Sequence, residues 1–365
     1  MPASPLPFLD DFRKPGLISG LLAELKEKSG RPLKVMEVCG THTMAISRCG
    51  IRQAAPDSLT LISGPGCPVC VTSNRDIDAF IEMALQPGVI AATFGDMLRV
   101  PGTRLGLAQA RSQGADVRVV YSTLDALSLA RENPHKDVIF FGVGFETTAP
   151  TVAAALLEAA ASGVNNFYVL SAHKAVPPAL SALCSSPGLA IDAYLCPGHV
   201  SAIIGPDAYL PISSKHGIPC VIAGFEPVDI LQSLLMIAEQ VAAGRSDVEV
   251  QYSRGVRAQG NPAARELMDR VFEPSDAEWR GLGTIPGSGM AIRTEFAAQN
   301  AAGKFEVDVS FSREPKGCIC GDILTGRATP RECSLFGRAC SPEHPVGPCM
   351  VSSEGTCAAY YQYEA

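Results

Sequence analysis

The chain has 365 residues, which is longer than a single hydrophobic core usually supports, and its apolar content of 47% is ample to fill two or three domains. Its net charge of -7, without a run of basic residues, argues against a nucleic-acid or anionic-membrane surface and favours a small-molecule or protein partner. No segment reaches the roughly 18 apolar residues that a membrane span needs, and the N-terminus MPASPLPFLDDFRKPG does not resemble a secretion signal. We therefore expect a cytoplasmic protein.

Short apolar, β-branched runs alternate with helical stretches through most of the chain. Near-continuous apolar strands separated by helices are typical of parallel sheets covered on both faces. The sequence therefore predicts an α/β fold, with strands at 33–38, 59–63, 89–94, 117–121, 138–144, 167–172 and 220–224.

A weak internal repeat suggests how these strands are grouped. The loops VCGTHT, SGPGCPVC and ATFGDMLRVPG follow strands in the first half, and VGFETTAP, LCPGHV and IAGFEPVDIL follow strands in the second. We predict two similar Rossmann-like domains, 31–121 and 122–245, although turn chemistry alone also recruits Gly and Pro after strands. Loops at the carboxyl ends of parallel strands line ligand crevices, so these six loops are expected to converge on a cleft.

The first of these loops, Cys39-Gly40-Thr41-His42, places a thiol at the end of a strand and the start of a helix. Thr41 is a candidate N-cap, and the helix dipole and free N–H groups would lower the pKa of a Cys39 thiolate. Cys39 is thus a candidate nucleophile or ligand for a soft metal, and the alternative is an inert core cysteine. His42 either donates a hydrogen bond to whatever Cys39 holds or caps the helix.

The second loop contains Cys67-Pro68-Val69-Cys70, whose two sulfurs can meet across one turn as in dithiol–disulfide couples. Half of a zinc site is the chief alternative. In the second half, His173, His199 and Glu226 bring polar side chains to strand ends. Gly142-Val143-Gly144-Phe145-Glu146-Thr147 lacks the third glycine of the dinucleotide fingerprint, so nucleotide binding is not expected.

The C-terminal segment changes composition. Thirteen cysteines in a chain expected to be cytoplasmic favour metal or redox chemistry over a disulfide framework, and six of them lie within the last 48 residues: Cys318, Cys320, Cys333, Cys340, Cys349 and Cys357. The segment shows little hydrophobic periodicity, and metal–thiolate bonds can supply folding energy that a core would otherwise provide. Disorder and disulfides are the alternatives. We predict an iron–sulfur domain at 246–365, against which an N-terminal helix in 1–30 packs.

At these motifs the chain resembles the HypD family of hydrogenase maturation factors, which scaffold assembly of the iron centre of [NiFe] hydrogenases. The resemblance runs almost from end to end and rests on EVCGTHTMAI, GPGCPVC, TFGDMLRVPG, GFETTAPT, SAHKAVPP, PGHVSAIIG, AGFEPVDIL and GCICGDILTG, then PRECSLFG and CMVSSEGTC. One departure is Ser73, where the family is expected to have proline; it alters a turn and no ligand.

The resemblance implies roles for particular cysteines. The family's pattern C-x14-C-x6-C-x16-C selects Cys318, Cys333, Cys340 and Cys357 as ligands of a [4Fe–4S] cluster, while spacing alone leaves Cys320 and Cys349 as alternatives. It implies that Cys39, beside Thr41, binds Fe(CN)2CO together with a cysteine of a small HypC-type chaperone. Cys67 and Cys70 would be the redox pair between cluster and iron. Glu354 matches a family residue that is important for function.

The resemblance therefore predicts an assembly scaffold with a thiol and iron–sulfur redox step, and leaves open whether it is an enzyme. The implied partners are the HypC-type chaperone, a cyanide-donating HypE-type factor and, indirectly, the hydrogenase large subunit. The alternatives are a stand-alone iron–sulfur-dependent thiol–disulfide oxidoreductase and a zinc-stabilised binding protein.

Overall fold

Two parallel sheets and one antiparallel hairpin organise the chain in the computed structural model, which describes residues 10–28, 30–186 and 189–364. The strands are β1 (Leu33–Glu37), β2 (Leu59–Ser63), β3 (Val89–Thr93), β4 (Asp116–Val119), β5 (Asp137–Gly142), β6 (Phe167–Ser171), β7 (Ala193–Pro197), β8 (Cys220–Ala223), β9 (Val248–Val250), β10 (Phe272–Trp279) and β11 (Gly283–Ile292).

Helices separate most of these strands. They are α1 (Pro15–Lys28), α2 (Gly40–Arg48), α3 (Ile51–Ala54), α4 (Pro68–Val71), α5 (Asn74–Ala84), α6 (Gly95–Arg99), α7 (Leu107–Ser112), α8 (Thr123–Glu132), α9 (Ala149–Ala161), α10 (Val176–Cys184), α11 (Gly198–Ile204), α12 (Leu210–His216), α13 (Pro227–Ala242), α14 (Pro262–Val271), α15 (Ala301–Lys304), α16 (Cys320–Leu324) and α17 (Thr356–Tyr363). Short 3₁₀ turns occur at Asp10–Arg13, Pro206–Tyr209, Thr294–Gln299, Pro330–Glu332 and Pro348–Met350.

The first sheet has the strand order β2-β1-β7-β8-β9, and the second has the order β4-β3-β5-β6. Every neighbouring pair within these two sheets is parallel, which confirms the predicted α/β class. Alternate strand residues face opposite sides: Val35 packs in one core cluster and Met36 in another, on the two faces of the first sheet. This burial on both faces explains the near-continuous apolar strands.

The sheets do not divide at the predicted boundary between 121 and 122. Strands β3 and β4 belong with β5 and β6, while β7 and β8 return to pair with β1. The first sheet is therefore discontinuous in sequence, and the second sheet is built from the chain between its two parts. The repeat of loop motifs could not reveal this, because strand pairing over more than 100 residues is decided by packing and not by local sequence.

The chain after 245 also corrects the prediction. Strand β9 completes the first sheet, and β10 and β11 form an unpredicted antiparallel hairpin that reaches both the segment after Cys70 and the loop at Lys174. Helix α1 packs on α13, and Leu25 lies in the core beneath the first sheet, so the expected packing on the cysteine-rich segment is replaced by packing on that helix. Of the predicted N-terminal unit, 1–9 and 29 lie outside the described residues. Within the described residues, no helix is both long and apolar enough to cross a membrane.

Candidate thiol and metal site

Cys39 lies where β1 passes into α2, at the carboxyl edge of the first sheet, and it is itself the N-cap residue in place of Thr41. The neighbouring loop after β2 presses directly against it, since the Gly40 N–H donates to the Gly66 carbonyl at 2.9 Å. A Cβ on Gly66 would lie 2.1 Å from the Cys39 nitrogen, so only glycine permits this approach. The backbone thus joins the CGTH and CPVC loops.

The Cys39 thiol is 2% exposed, and its Sγ lies 3.8 Å from Nδ1 of His199. Burial raises the pKa of Cys39 to about 12, and the N–H groups of the helix start only partly oppose this. The expected lowering of the Cys39 pKa is therefore reversed, because desolvation outweighs the helix terminus. His199 reaches Cys39 because β7 pairs with β1, which the sequence could not show.

His42 does not face the Cys39 sulfur. Its Nε2 donates to the Gly224 carbonyl at 2.9 Å, and its ring packs on Phe225 with centroids 4.8 Å apart. Burial lowers the pKa of His42 to about 4, so the ring is neutral and its Nδ1 has no partner among the described residues. His199, and not His42, is the histidine whose side chain lies against the Cys39 sulfur.

Glu354 brings the cysteine-rich segment to the same loop. Thr41 donates its hydroxyl to Glu354 Oε1 at 2.6 Å, and a Cβ on Gly40 would meet the Glu354 side chain at 2.6 Å. The carboxylate lies near enough to Cys39 to contribute to its raised pKa, after burial. Residues 41 and 354, which sequence analysis singled out separately, are therefore hydrogen-bonded neighbours.

The two thiols of the CPVC motif lie together. Cys67 caps α4, with its Sγ accepting from the Cys70 N–H at 3.3 Å, and the Cys70 thiol donates to Cys67 Sγ at 2.7 Å. Both cysteines are free and buried. The short helix held by Pro68 therefore presents a dithiol with its sulfurs adjacent, as the C-x-x-C spacing predicts.

Two further cysteines extend this dithiol. Cys320 and Cys349 have their Sγ atoms 3.1 Å apart, and Cys349 lies within electrostatic reach of Cys70. Interaction with Cys320, and after it with Cys70, lowers the pKa of Cys349. Two close pairs, Cys67–Cys70 and Cys349–Cys320, thus form a row of four buried sulfurs in which the two pairs lie within electrostatic reach of each other. The spacing along the chain leaves Cys320 and Cys349 as alternative ligands and gives no signal of their pairing.

The row ends at a cavity whose lining includes all six C-terminal cysteines. Cys320 and Cys349 are occupied with each other, which leaves Cys318, Cys333, Cys340 and Cys357 as the other thiols facing the cavity. Burial raises the pKa of Cys357, and the charges of Cys318, Cys340 and Cys333 act in the same direction, so these sulfurs lie within mutual electrostatic reach. Four thiols around one cavity suit a cluster, whose ligands must be further apart than those of one ion.

Among the described residues, no group of three or more His, Cys, Asp or Glu side chains is arranged to hold a single metal ion. A charged group nevertheless lies beside the wall of the cavity, on the connection between β10 and β11. Arg280 is 1% exposed, and none of its three guanidinium nitrogens has a hydrogen-bond partner in the described part of the chain. Buried cations require an anionic partner, so an orphaned guanidinium near the Cys318 thiol fits a thiolate-ligated, negatively charged group.

Taken together, the two parallel sheets, the buried row of sulfurs and the cysteine-lined cavity define a cysteine-rich α/β protein whose thiols are grouped in the fold. The family model HypD, described as the hydrogenase formation hypA family, matches residues 16–364. The hydrogenase maturation factor HypD of Rhodobacter capsulatus is 47% identical over 98% of each chain, and that of Escherichia coli is 46% identical over 98% of each chain. A putative hydrogenase expression/formation protein of Methanocaldococcus jannaschii is 42% identical over 93% of this chain and 94% of its own.

The chain therefore belongs to the HypD family of hydrogenase maturation factors, as its motifs predicted.

Proposed function

We propose that the protein is a cytoplasmic scaffold on which the Fe(CN)2CO group of [NiFe] hydrogenases is assembled. In this function Cys39 binds the iron together with a cysteine of a small HypC-type chaperone, and a HypE-type factor donates cyanide. The loaded iron then passes, through the chaperone, to the hydrogenase large subunit. The observation that carries this proposal is the meeting of Cys39, Glu354 and the CPVC loop at one edge of the first sheet.

The chemistry of Cys39 suits this cargo. Iron carrying cyanide and CO is a soft, low-spin centre that pairs well with thiolate sulfur. The pKa of about 12 means that the thiol holds its proton until a cation displaces it, so binding of iron releases that proton. His199 lies against the sulfur and can orient it by a hydrogen bond. A single thiolate from each partner would allow the iron to be handed on.

Cys318, Cys333, Cys340 and Cys357 would hold a [4Fe–4S] cluster, a group that supplies electrons one at a time when bound. The row of four sulfurs that starts beside these ligands can carry two-electron chemistry toward Cys39. Its direction is supported by Cys349, whose sulfur lies 3.1 Å from that of Cys320 and within electrostatic reach of Cys70.

Thiol–disulfide exchange along this row balances within the chain. With Cys67 and Cys70 as a disulfide, the Cys349 sulfur attacks Cys70, the S–S bond breaks, and Cys67 leaves and takes a proton. Cys320 then attacks Cys349 and releases Cys70, which takes the second proton. One disulfide is reduced and one dithiol is oxidised, so two electrons and two protons move from the cavity side to the CPVC loop.

The same row favours a second candidate function, a stand-alone iron–sulfur-dependent thiol–disulfide oxidoreductase, because all four sulfurs belong to one chain. That function requires no thiol at position 39. It predicts reduction of a small disulfide by the isolated protein with an electron donor alone, at a rate unaffected by Cys39→Ala.

The deciding experiment compares Cys39→Ala, at the N-cap of α2, with Cys49→Ala, at an exposed cysteine that forms the C-cap of the same helix. Each variant is purified anaerobically with the HypC-type partner and examined by infrared spectroscopy in the region of CN and CO stretches. We expect Cys49→Ala to keep the wild-type bands and Cys39→Ala to lose them, with four-iron absorbance near 400 nm unchanged in both. If Cys39→Ala retained the CN and CO bands, the proposal would be refuted.

A further inference from the structure

Arg280 lies at a position where burial of its charged side chain destabilises the folded protein. It lies between the end of β10 and the start of β11, its backbone N–H donates to the Val71 carbonyl at 2.9 Å, and its side chain is 1% exposed. The guanidinium makes no hydrogen bond within the described residues, and no carboxylate there forms an ion pair with it. Burying a cation in this way costs several kcal/mol unless an anion offsets the charge.

The guanidinium lies beside the wall of the cysteine cavity, next to Gly347. A Cβ built on Gly347 would lie 3.8 Å from Arg280 Nη1 and 3.4 Å from Cys318 Sγ, so both groups border the same small space. Gly347 also lines the cavity itself. Gly281, which follows Arg280, packs closely on the backbone of Gly321, the residue after Cys320 in α16. This contact fixes the end of the hairpin against the cysteine-rich segment.

Cys318 Sγ, which borders the same space beside Gly347, is a group that could accept from the N–H donors of Arg280. Free thiols are neutral and weak acceptors, whereas thiolates and sulfides of a bound cluster are anionic and accept hydrogen bonds. Arginine stays protonated in proteins and presents its donors in a rigid fork, so its charge is permanent.

We infer that Arg280 is a positioning residue for the [4Fe–4S] site, which donates N–H···S hydrogen bonds to its sulfurs and raises its reduction potential. This inference rests on the proposed function, because it requires a cluster in the cavity. One-electron reduction adds one negative charge to the site without a proton, and a fixed positive charge beside it favours the reduced form. The backbone N–H of Arg280 also donates to the carbonyl of Val71, the residue after Cys70. Arg280 is therefore hydrogen-bonded next to the dithiol that would receive electrons from the cluster.

The test is a set of substitutions in the full chain, reconstituted anaerobically, with the midpoint potential read by EPR during a redox titration. Arg280→Lys keeps the charge, Arg280→Gln keeps two N–H donors, and Arg280→Met keeps neither. We expect the midpoint to fall in that order, with Arg280→Met disfavouring reduction at least tenfold, which is about 59 mV for a one-electron couple. Arg327→Met removes a half-exposed arginine that pairs with Asp322 on α16, and it should leave the midpoint unchanged.

The outcomes separate the two proposals. A wild-type protein without a reducible EPR-active cluster refutes the proposed cluster, and with it this inference. If the wild type carries the cluster and its midpoint potential is unchanged in Arg280→Gln and Arg280→Met, the inference about Arg280 is refuted and the proposed cluster stands. If the neutral variants fold but take up no iron, Arg280→Lys decides: a midpoint below that of wild type supports the role of the guanidinium fork, and a wild-type midpoint overturns it.

Discussion

Glu146 shows how a single buried carboxyl responds to its surroundings. Its Oε1 accepts the Val176 N–H at 2.9 Å, while Oε2 has no partner among the described residues and the side chain is almost fully buried. Burial raises the pKa of Glu146 from 4.5 to about 7. The stabilisation that comes from holding the neutral acid is complete below pH 4.5 and is lost as the pH rises through about 7.

Glu146→Gln should therefore stabilise the protein more at pH 8 than at pH 5. Glutamine keeps the acceptor for Val176 but cannot ionise, so it avoids the cost of a buried charge at the higher pH. Urea denaturation at both pH values measures the difference, and Glu158→Gln, at an exposed glutamate, serves as the control. An equal effect of Glu146→Gln at pH 5 and pH 8 would contradict the raised pKa.

Gly66 is the residue at which the CPVC loop packs against the CGTH loop. It packs directly on backbone atoms, since an added Cβ would lie 2.3 Å from the Val38 carbonyl carbon and 2.4 Å from Cys39 Cα. Backbone cannot move aside as a side-chain tip can, so the loops must separate if this glycine is replaced.

Gly66→Ala is expected to cost about 1–3 kcal/mol, the usual penalty of overpacking, and to weaken iron retention at Cys39. Gly95→Ala is the matched control, because a Cβ there meets only a Val119 methyl at 3.7 Å, an ordinary contact. The free energies of unfolding of both variants are compared by chemical denaturation. Wild-type stability and iron retention in Gly66→Ala would show that the loops do not depend on this approach.

At the scale of the molecule, the C-terminal helix is tied to the first sheet through a buried charge network. Arg52 pairs with Glu37 at 3.3 Å and with Glu364 at 3.1 Å, and Ser47 and Ser63 donate to these carboxylates at 2.6 Å. Both glutamates are buried. The network holds α17, which carries Cys357, against α2, whose N-cap is Cys39.

Arg52→Met should cost about 3–5 kcal/mol, because it leaves two buried carboxylates without their cation. Arg118→Met, which removes an arginine from a more exposed pair with Asp116, should cost less than about 1 kcal/mol. Both are measured as free energies of unfolding in urea. The double variant Arg52→Met/Glu37→Gln should recover part of the loss, and a mild effect of Arg52→Met alone would mean that the network does not secure the helix.

The sequence by itself determined the class of fold, the family, the CPVC dithiol and the cysteine-rich end. These features are local: apolar runs fix buried strands, a C-x-x-C spacing brings two sulfurs across one turn, and motifs are read residue by residue.

Only the tertiary structure decided which strands share a sheet, that His199 and not His42 lies against Cys39, and that Cys349 pairs with Cys320. It also decided that burial outweighs the helix terminus at Cys39, and that Arg280 lies beside the wall of the cysteine cavity. The physical reason is the same in each case. Desolvation and side-chain contacts depend on which distant segments pack together, and the spacing of motifs along the chain does not specify that packing.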